Sequence, residues 1–382
     1  MSVRMPSQAV WGTRRNSSVM APERTHMETI ASKVRAGIAL SRADGVYLYK
    51  EAPFHALGRL AHEVRTAKNG KKAYYVVKRY LNTTNVCYAD CKFCSFAAYE
   101  KDPRAYRMPL EEILDKACAQ PDDYDELHIV GGHDPKQTSL DFWIPAIAEM
   151  KRRIPHVQLA LFTAAEIDYM CKRARCSYQD GLERLRDAGL TSLNGGGAEI
   201  LVKRVRDLIC PRKANVEEWL EVHRVAHRVG IKTNCTMLYG HVETIEERVQ
   251  HLLLLRDLQA NTGGFKCFVP LAFHPEGNAL EECGWTGGID DLRTIAVSRL
   301  MLDNIDHIKA YWISYGIKVA QLGLHFGADD IDGTVNNEQH IYRDAGSTTD
   351  QSTPIAELKR AISEAGFEPT RRNLLYRVLE PA

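Results

Sequence analysis

The sequence predicts an α/β protein with a (β/α)8 barrel of the TIM type. Short β-rich runs alternate with amphipathic stretches of helical period, a pattern typical of parallel strands joined by helices. A length of 382 residues suits a barrel that forms one domain. Polar and glycine-rich motifs also follow the predicted strands, which is where barrel enzymes keep their active sites.

The elements are predicted in order from hydrophobic period and length. Helices over 27–41 and 54–68 precede the first strand, and a helix over about 354–365 forms a C-terminal helical tail. Eight strands are predicted over 73–78, 126–130, 157–162, 191–194, 232–238, 264–269, 307–311 and 318–322. The helices between them are predicted over 110–119, 140–153, 178–188, 216–229, 245–259 and 292–302.

Residues 1–26 differ in composition from the rest of the chain. Four arginines and several serines accompany a single acidic residue, Glu23. Such a segment fits a transit peptide, but Met20 and Met27 offer later initiation points, which favours a disordered extension or an early assigned start. We expect a disordered extension over 1–26 and a single barrel domain over 27–382.

Composition excludes several classes of partner. The chain carries 50 basic and 49 acidic side chains, for a net charge of +1. This balance gives no electrostatic footprint for nucleic acid or an anionic membrane surface, so the expected partner is a small molecule. The sequence predicts no membrane-spanning segment. Ten cysteines without a disulfide-rich spacing favour a cytoplasmic location.

Cys87, Cys91 and Cys94 form a C-x3-C-x2-C triplet. Three thiolates can hold three irons of a [4Fe–4S] cube and leave the fourth iron open to a small molecule, whereas electron-carrier clusters usually use four protein ligands. The triplet therefore predicts chemistry at the cluster. The alternative is a zinc knot, which requires four ligands in paired spacing. His55 and His62 lie upstream but do not supply that spacing.

Two glycine motifs follow the second and fourth predicted strands. Gly131 and Gly132 precede His133 and Asp134, where an ordinary Gly-Gly turn is the alternative interpretation. Three consecutive glycines at 195–197 remove side chains, so that backbone amides can approach a ligand closely. Both motifs would lie at the same end of the barrel as the cysteine triplet.

The fifth predicted strand ends in a polar segment. Thr244 and Glu247 fit a helix capping box, so part of this segment is also a helix start. Catalytic roles are predicted for His133, Tyr239, His241 and Glu243. No role is assigned to the aspartates that follow the eighth predicted strand, Asp329, Asp330 and Asp332.

The cysteine spacing, with Phe93 just before the last cysteine, resembles the signature loop of the radical S-adenosylmethionine (SAM) superfamily. Segments 82–87, 128–133, 195–199, 209–213, 237–244 and 326–334 resemble the aminofutalosine synthases of the futalosine route to menaquinone. The usual Gly-Gly-x-His-Pro turn of that family is replaced here by Gly-Gly-His-Asp-Pro. The resemblance implies that Cys87, Cys91 and Cys94 bind a [4Fe–4S] cluster that is chelated by SAM. Cofactor contacts are predicted for Phe93, Gly131, Gly132, Gly196, Gly197, Glu199 and Asn234.

The same resemblance implies a radical SAM transferase that uses SAM as a co-substrate. In that family the 5′-deoxyadenosyl radical adds to 3-[(1-carboxyvinyl)oxy]benzoate, and rearrangement with decarboxylation gives aminodeoxyfutalosine. Such a dianion needs cationic or hydrogen-bonding partners, for which the candidates are Arg206, Arg212, Lys213 and His241. A flavodoxin or ferredoxin is the expected reductant. The alternatives are a cyclic dehypoxanthine futalosine synthase, an FO-synthase-like radical SAM enzyme and a non-enzymatic iron–sulfur electron carrier.

Overall fold

The computed structural model describes residues 21–334, 341–347, 349 and 352–379. Within these residues the strands are β1 Lys72–Val76, β2 Lys78–Leu81, β3 Glu126–Ile129, β4 Gln158–Thr163, β5 Ser192–Asn194, β6 Lys232–Tyr239, β7 Phe265–Ala272, β8 His307–Ile308, β9 Asp330–Gly333 and β10 Glu368–Arg371. The α-helices are α1 Ala21–Arg35, α2 Arg42–Lys50, α3 Phe54–Asn69, α4 Leu110–Cys118, α5 Leu140–Arg153, α6 Ala164–Ala174, α7 Tyr178–Ala188, α8 Lys203–Ile209, α9 Val216–Arg228, α10 Ile245–Thr262, α11 Gly288–Met301, α12 Trp312–Gly323, α13 Ile341–Asp344 and α14 Ile355–Glu364.

Strands β2 to β8 form a seven-stranded parallel sheet in chain order. A second parallel sheet has the order β10-β1-β9. The two sheets are continuous, because only Val77 separates β1 from β2 and a bridge between Lys309 and Asp330 joins the end of β8 to β9. Eight strand positions therefore curl into the predicted TIM-type barrel, with helices on the outside.

The prediction for the eighth strand is wrong. Residues 318–322 lie in α12, and the strand that occupies this position is β9, about ten residues later. A short run of alternating apolar and polar residues fits a strand and a helix equally well. Strand β9 escaped prediction because it carries Asp330 and Asp332, which are buried and paired with cationic side chains from neighbouring strands and the C-terminal segment.

The other barrel elements agree with the prediction to within a few residues. Helices α5 and α7 have the predicted bounds, and α10 begins with the predicted Thr244–Glu247 capping box. Helix α1 begins six residues before the predicted helix over 27–41. Helices α2, α6, α8, α12 and α13 were not predicted, and both α2 and α6 begin with capping boxes of their own. Most of the 1–26 extension falls outside the described residues, and α1 begins within it at Ala21.

The C-terminal segment covers the amino-terminal end of the barrel. Strand β10 pairs with β1, and the Leu374 amide donates to the side chain of Gln158 at the start of β4. Lys266, at the start of β7, donates to the Leu374 carbonyl. The barrel interior is therefore accessible from the other end, where the strands lead into the predicted motifs. No helix in the described part of the chain is both long and apolar enough to cross a membrane.

Candidate active site

A cavity of about 300 Å³ occupies the carboxyl-terminal half of the barrel. Its wall includes the three cysteines of the triplet, both glycine motifs, and inward-facing residues of the strands. The apolar part of the wall is formed by Phe96, Val130, Leu238, Val269, Leu271 and Phe273. Such a chamber is deep enough to exclude water from a bound ligand while keeping several polar groups within reach of it.

The cysteine loop connects β2 to α4. The Cys87 amide donates to the Ala98 carbonyl at 3.0 Å, and the Cys94 amide donates to the Cys91 carbonyl at 3.1 Å, so backbone bonds fix the loop. All three cysteines are free thiols that are partly exposed to the cavity. Burial raises the pKa of Cys91 and Cys94 in the metal-free chain. Metal binding must therefore displace protons from these thiols.

The Gly131-Gly132-His133 turn packs directly on the cysteine loop. A Cβ atom added at Gly132 would lie 2.1 Å from the Val86 carbonyl oxygen and 2.9 Å from the Cys87 Cβ. The His133 amide donates to the Cys87 Sγ at 3.3 Å. The His133 ring stacks on Tyr169 with 4.8 Å between centroids. Burial lowers the pKa of His133 to about 3, so the ring is neutral at physiological pH.

Glu166 is a cavity residue that the sequence analysis missed. It is the third residue of α6, and its carboxylate accepts from the Thr163 amide at 2.7 Å, the Thr163 hydroxyl at 2.9 Å and the Gly131 amide at 3.1 Å. Burial raises its pKa to about 7 despite these bonds. A Thr-x-x-Glu spacing after β4 was visible in the sequence and signals a capping box, but it does not reveal that the carboxylate also faces the cavity.

The second glycine motif places an ion pair beside the cysteine loop. Gly197 has a φ of 84°, a conformation that other residues rarely adopt. Glu199 accepts from the Lys213 ammonium at 2.6 Å, and the Lys213 Nζ lies 5.4 Å from the centroid of the Phe93 ring. Although burial opposes its charge, Cys91 and Glu199 hold the pKa of Lys213 above the ordinary value.

The remaining predicted cofactor contacts also reach the cavity. Asn234, from β6, lines the wall, and its side-chain oxygen accepts from the Cys267 thiol at 3.2 Å. Gly131, Gly132, Gly196 and Gly197 lie on the rim formed by the two glycine motifs. Of the residues predicted to contact the cofactor or the cluster, all line this one cavity.

Three of the four predicted catalytic residues do not reach the cavity. Tyr239 is buried behind the strand, and its hydroxyl donates to Asp291 at 2.7 Å. Glu243 accepts from the amides of Gly240 and His241 and from Arg248, at 2.6 Å, 2.9 Å and 2.8 Å. The His241 ring lies in the same cluster, against the Leu238 carbonyl. These side chains therefore stabilise the turn after β6, and only His133 borders the cavity.

Two of the cationic residues predicted to bind the substrate also lie outside the cavity. The Arg206 guanidinium is buried and donates to the carbonyls of Gly197, Ala198 and Ala214, so it holds the glycine loop in place. Arg212 is exposed at the surface. Of the four candidates, Lys213 is the one that lines the cavity.

Two lysines that the sequence analysis did not consider form the cavity floor. Lys78, from β2, and Lys309, next to β8, both face the cavity and both form ion pairs with Asp332 of β9. The predicted eighth strand placed Asp332 in the loop that follows it, with no assigned role. Instead its carboxylate is buried between two ammonium groups.

The donor set fits a [4Fe–4S] cluster held by three cysteines. The three thiols belong to one ordered loop and face the same cavity, and Gly132 allows the neighbouring turn to lie against Cys87. Cys210 is buried outside the cavity wall, so the described residues present three thiols to the chamber. They contain no group of three His, Cys, Asp or Glu side chains arranged around a single metal ion, whereas a cube uses a separate iron for each thiolate.

Comparison with known proteins identifies the family. Residues 81–255 match the radical SAM superfamily, and residues 262–382 match the CofH/MqnC C-terminal region. The chain is 44% identical to the aminodeoxyfutalosine synthase of Thermus thermophilus, covering 91% of this chain and 94% of that protein. It is 42% identical to the aminodeoxyfutalosine synthase of Streptomyces coelicolor, covering 92% and 93% of the two chains. Identity to the cyclic dehypoxanthine futalosine synthase of Streptomyces coelicolor is 35%, covering 93% and 89%.

The fold also matches solved structures. The crystal structure of methylornithine synthase (PylB) superimposes with a TM-score of 0.70, covering 90% of this chain and 97% of that one, at 19% sequence identity. At this identity the likeness concerns the fold alone. It agrees with the parallel barrel described above.

Proposed function

The chain belongs to the radical SAM superfamily and is an enzyme that forms carbon–carbon bonds, and we propose that it is an aminodeoxyfutalosine synthase of menaquinone biosynthesis. The observation that carries the proposal is identity of 44% and 42% to two such synthases over nearly their whole length. Identity to the cyclic dehypoxanthine futalosine synthase is lower, which makes that activity the second candidate.

Cys87, Cys91 and Cys94 would hold a [4Fe–4S] cluster at the mouth of the cavity. When bound, this cluster would supply the electron that cleaves the sulfonium of SAM into methionine and a 5′-deoxyadenosyl radical. The Gly131-Gly132 turn lies against Cys87, so its backbone groups would lie close to a cluster bound by the three cysteines.

The proposed substrates are SAM and 3-[(1-carboxyvinyl)oxy]benzoate. The adenosyl carbon forms a bond to the vinyl CH2, the substituted carbon then bonds to the ring carbon that carries the ether oxygen, and the aryl C–O bond breaks. Release of the vinyl carboxylate as CO2 generates the ketone of aminodeoxyfutalosine and returns one electron. One electron is used in the cleavage of SAM and one is returned on decarboxylation, so the overall reaction involves no net oxidation or reduction.

The protein's part in this reaction is to bind, orient and exclude water. The apolar wall, which includes Leu238, Val269 and Leu271, helps to keep water away from the reacting groups. Glu166, Asn194 and the Lys213–Glu199 pair are polar groups placed to orient SAM. A dry, preformed chamber raises the rate by holding the vinyl group near the adenosyl carbon. A flavodoxin or ferredoxin of the cytoplasm would supply the electron.

The test is anaerobic incubation of the cluster-reconstituted protein with SAM, a reductant and 3-[(1-carboxyvinyl)oxy]benzoate, followed by mass analysis of all adenosine-containing products. An adenosyl–benzoate adduct that has lost CO2 is the expected product. Free 5′-deoxyadenosine alone would contradict the proposal and favour a hydrogen-abstracting relative such as the cyclic dehypoxanthine enzyme. Cys87→Ala should abolish SAM cleavage. The matched control is Cys283→Ala, because Cys283 is an exposed thiol outside the cavity wall.

A further inference from the structure

We propose that Lys78 and Lys309 form a carboxylate subsite on the cavity floor, which binds the ring carboxylate of the substrate. This inference rests on the proposed function, because it assigns one end of the proposed dianionic substrate to a place in the barrel. Both lysines line the cavity, and their side chains are only 2% and 5% exposed. Such buried ammonium groups are costly unless an anion accompanies them.

The hydrogen-bonding capacity of these lysines is only partly used. Each ammonium group has three N–H donors. Lys309 donates to Asp332 Oδ1 at 2.5 Å, and Lys78 donates to Asp332 Oδ2. Among the described residues neither ammonium has a second hydrogen-bond acceptor, so two donors on each remain for a ligand. Because buried donors are nearly always paired, this floor suits an anion with two acceptor oxygens.

The charges of the barrel interior also favour the binding of an anion at the cavity floor. Asp332 is one carboxylate between two ammonium groups, which leaves a local surplus of one positive charge. The next layer down offsets only part of it: Arg372 and Lys266 face Asp330 and Glu126 there, and burial lowers the pKa of Lys266 to about 7. In that layer the basic and acidic groups are equal in number. Burial lowers the pKa of Lys78 even beside Asp332, as expected for an ammonium that is incompletely compensated, whereas Asp332 and Asp330 hold the pKa of Lys309 above its ordinary value although burial opposes its charge.

The backbone conformation of Asp332 indicates that the subsite is preorganised. Its φ is 72°, in the left-handed region that costs a non-glycine residue energy, and its amide donates to Asp330 Oδ1 at 2.5 Å. Strained backbone that the surrounding structure maintains is concentrated at functional sites. Here it holds the carboxylate between Lys78 and Lys309, so both ammonium groups are fixed before a ligand arrives.

Aromatic residues stand beside the floor. Tyr80 and Tyr311 line the cavity, and the Lys78 Nζ lies 5.3 Å and 5.6 Å from the centroids of their rings. These rings provide walls for an aromatic ligand whose carboxylate reaches the lysines. The C-terminal segment closes the barrel below, so the opposite end of such a ligand must point towards the cysteine loop.

This orientation agrees with the chemistry of the two carboxylates. The ring carboxylate is unchanged in the product, whereas the vinyl carboxylate leaves as CO2. An ion pair to the departing carboxylate would stabilise the ground state and oppose its loss, but an ion pair to the ring carboxylate is maintained throughout. Binding the ring end at the floor also directs the vinyl end to the place where the adenosyl radical is generated.

The test combines a substrate truncation with a lysine substitution. The kcat/KM values for formation of adenosylated product are measured with 3-[(1-carboxyvinyl)oxy]benzoate and with 2-phenoxyacrylate, which lacks the ring carboxylate. For the wild type we expect the truncation to lower kcat/KM by about 100-fold, as for loss of one member of a buried charge pair. In Lys309→Met the ratio between the two substrates should fall to a few-fold, because Lys78 and Asp332 then balance each other and the surplus positive charge that attracts the ring carboxylate is lost.

Lys151→Met is the matched control, since the Lys151 ammonium donates to the Pro155 and Val157 carbonyls and does not line the cavity. The ratio of its kcat/KM values for the two substrates should equal that of the wild type. If Lys309→Met does not fold, Lys78→Met replaces it, because this change removes the same surplus positive charge and leaves Lys309 paired with Asp332. An unchanged ratio in the folded variant would overturn the subsite while leaving the proposed function intact. Absence of any adenosylated product from the wild type would instead refute the proposed function.

Discussion

Gly132→Ala tests whether close contact between two loops holds the cluster site together. The added Cβ would lie 2.1 Å from the Val86 carbonyl oxygen and 2.9 Å from the Cys87 Cβ. Carbon and carbonyl oxygen normally approach to about 3.3 Å, so the turn and the cysteine loop must separate by about 1 Å. Both contacts are to backbone or to a Cβ rather than to the end of a flexible side chain, so local rotation cannot relieve the overlap.

The expected result is selective damage to the site. Overpacking of this kind costs about 1–3 kcal/mol of unfolding free energy, which a barrel of this size should tolerate. Misplacement of a catalytic group by about 1 Å lowers the rate of reaction by about 100-fold. The assay compares iron and sulfide content, visible absorbance and the rate of SAM cleavage in the reconstituted variant with those of the wild type.

Gly287→Ala is the control, because a Cβ at Gly287 meets no atom within 4 Å and its φ is −96°. It should keep the wild-type cluster content and SAM cleavage. If Gly132→Ala also retains both, the contact between the glycine turn and Cys87 does not determine the geometry of the site.

Three further substitutions test individual residues. Glu166 has a raised pKa of about 7, so its protonated form stabilises the fold at low pH, and this stabilisation is lost as the pH rises through 7. In urea unfolding, the free energy of unfolding of Glu166→Gln relative to that of the wild type should therefore increase by about 2 kcal/mol between pH 5 and pH 8. Lys213→Met leaves Glu199 buried without its cation, and we expect SAM cleavage to fall by about 10- to 100-fold, as for loss of a residue that orients a metal-site ligand; an undiminished rate would exclude this role. Tyr239→Phe removes the bond to Asp291 and should cost about 1 kcal/mol of stability, with kcat unchanged; a large fall in kcat would restore Tyr239 as a catalytic candidate.

Local patterns in the sequence were enough to predict most of the barrel. Helices α5 and α7 have the predicted bounds, because their apolar residues recur at helical spacing over three turns or more. Strand β9 was not predicted because its acidic residues are typical of a loop. Their burial depends on cations contributed by β2, by the residues after β8 and by the C-terminal segment, which no local pattern contains.

The sequence by itself determined which donor groups the cysteine loop offers. Cys87, Cys91 and Cys94 are close in the chain, so their spacing already defines which ligands one loop can offer. The same holds for the glycine turns, because the need for a missing side chain is a local property.

Only the tertiary structure decided which polar residues face the cavity. Tyr239, His241 and Glu243 follow a strand end as active-site residues do, yet their side chains turn outward into a buried network. Lys78 and Asp332 are separated by 254 residues and meet on the cavity floor. Barrel closure brings the first and last strands together, so a site built between them can be seen only after the chain has folded.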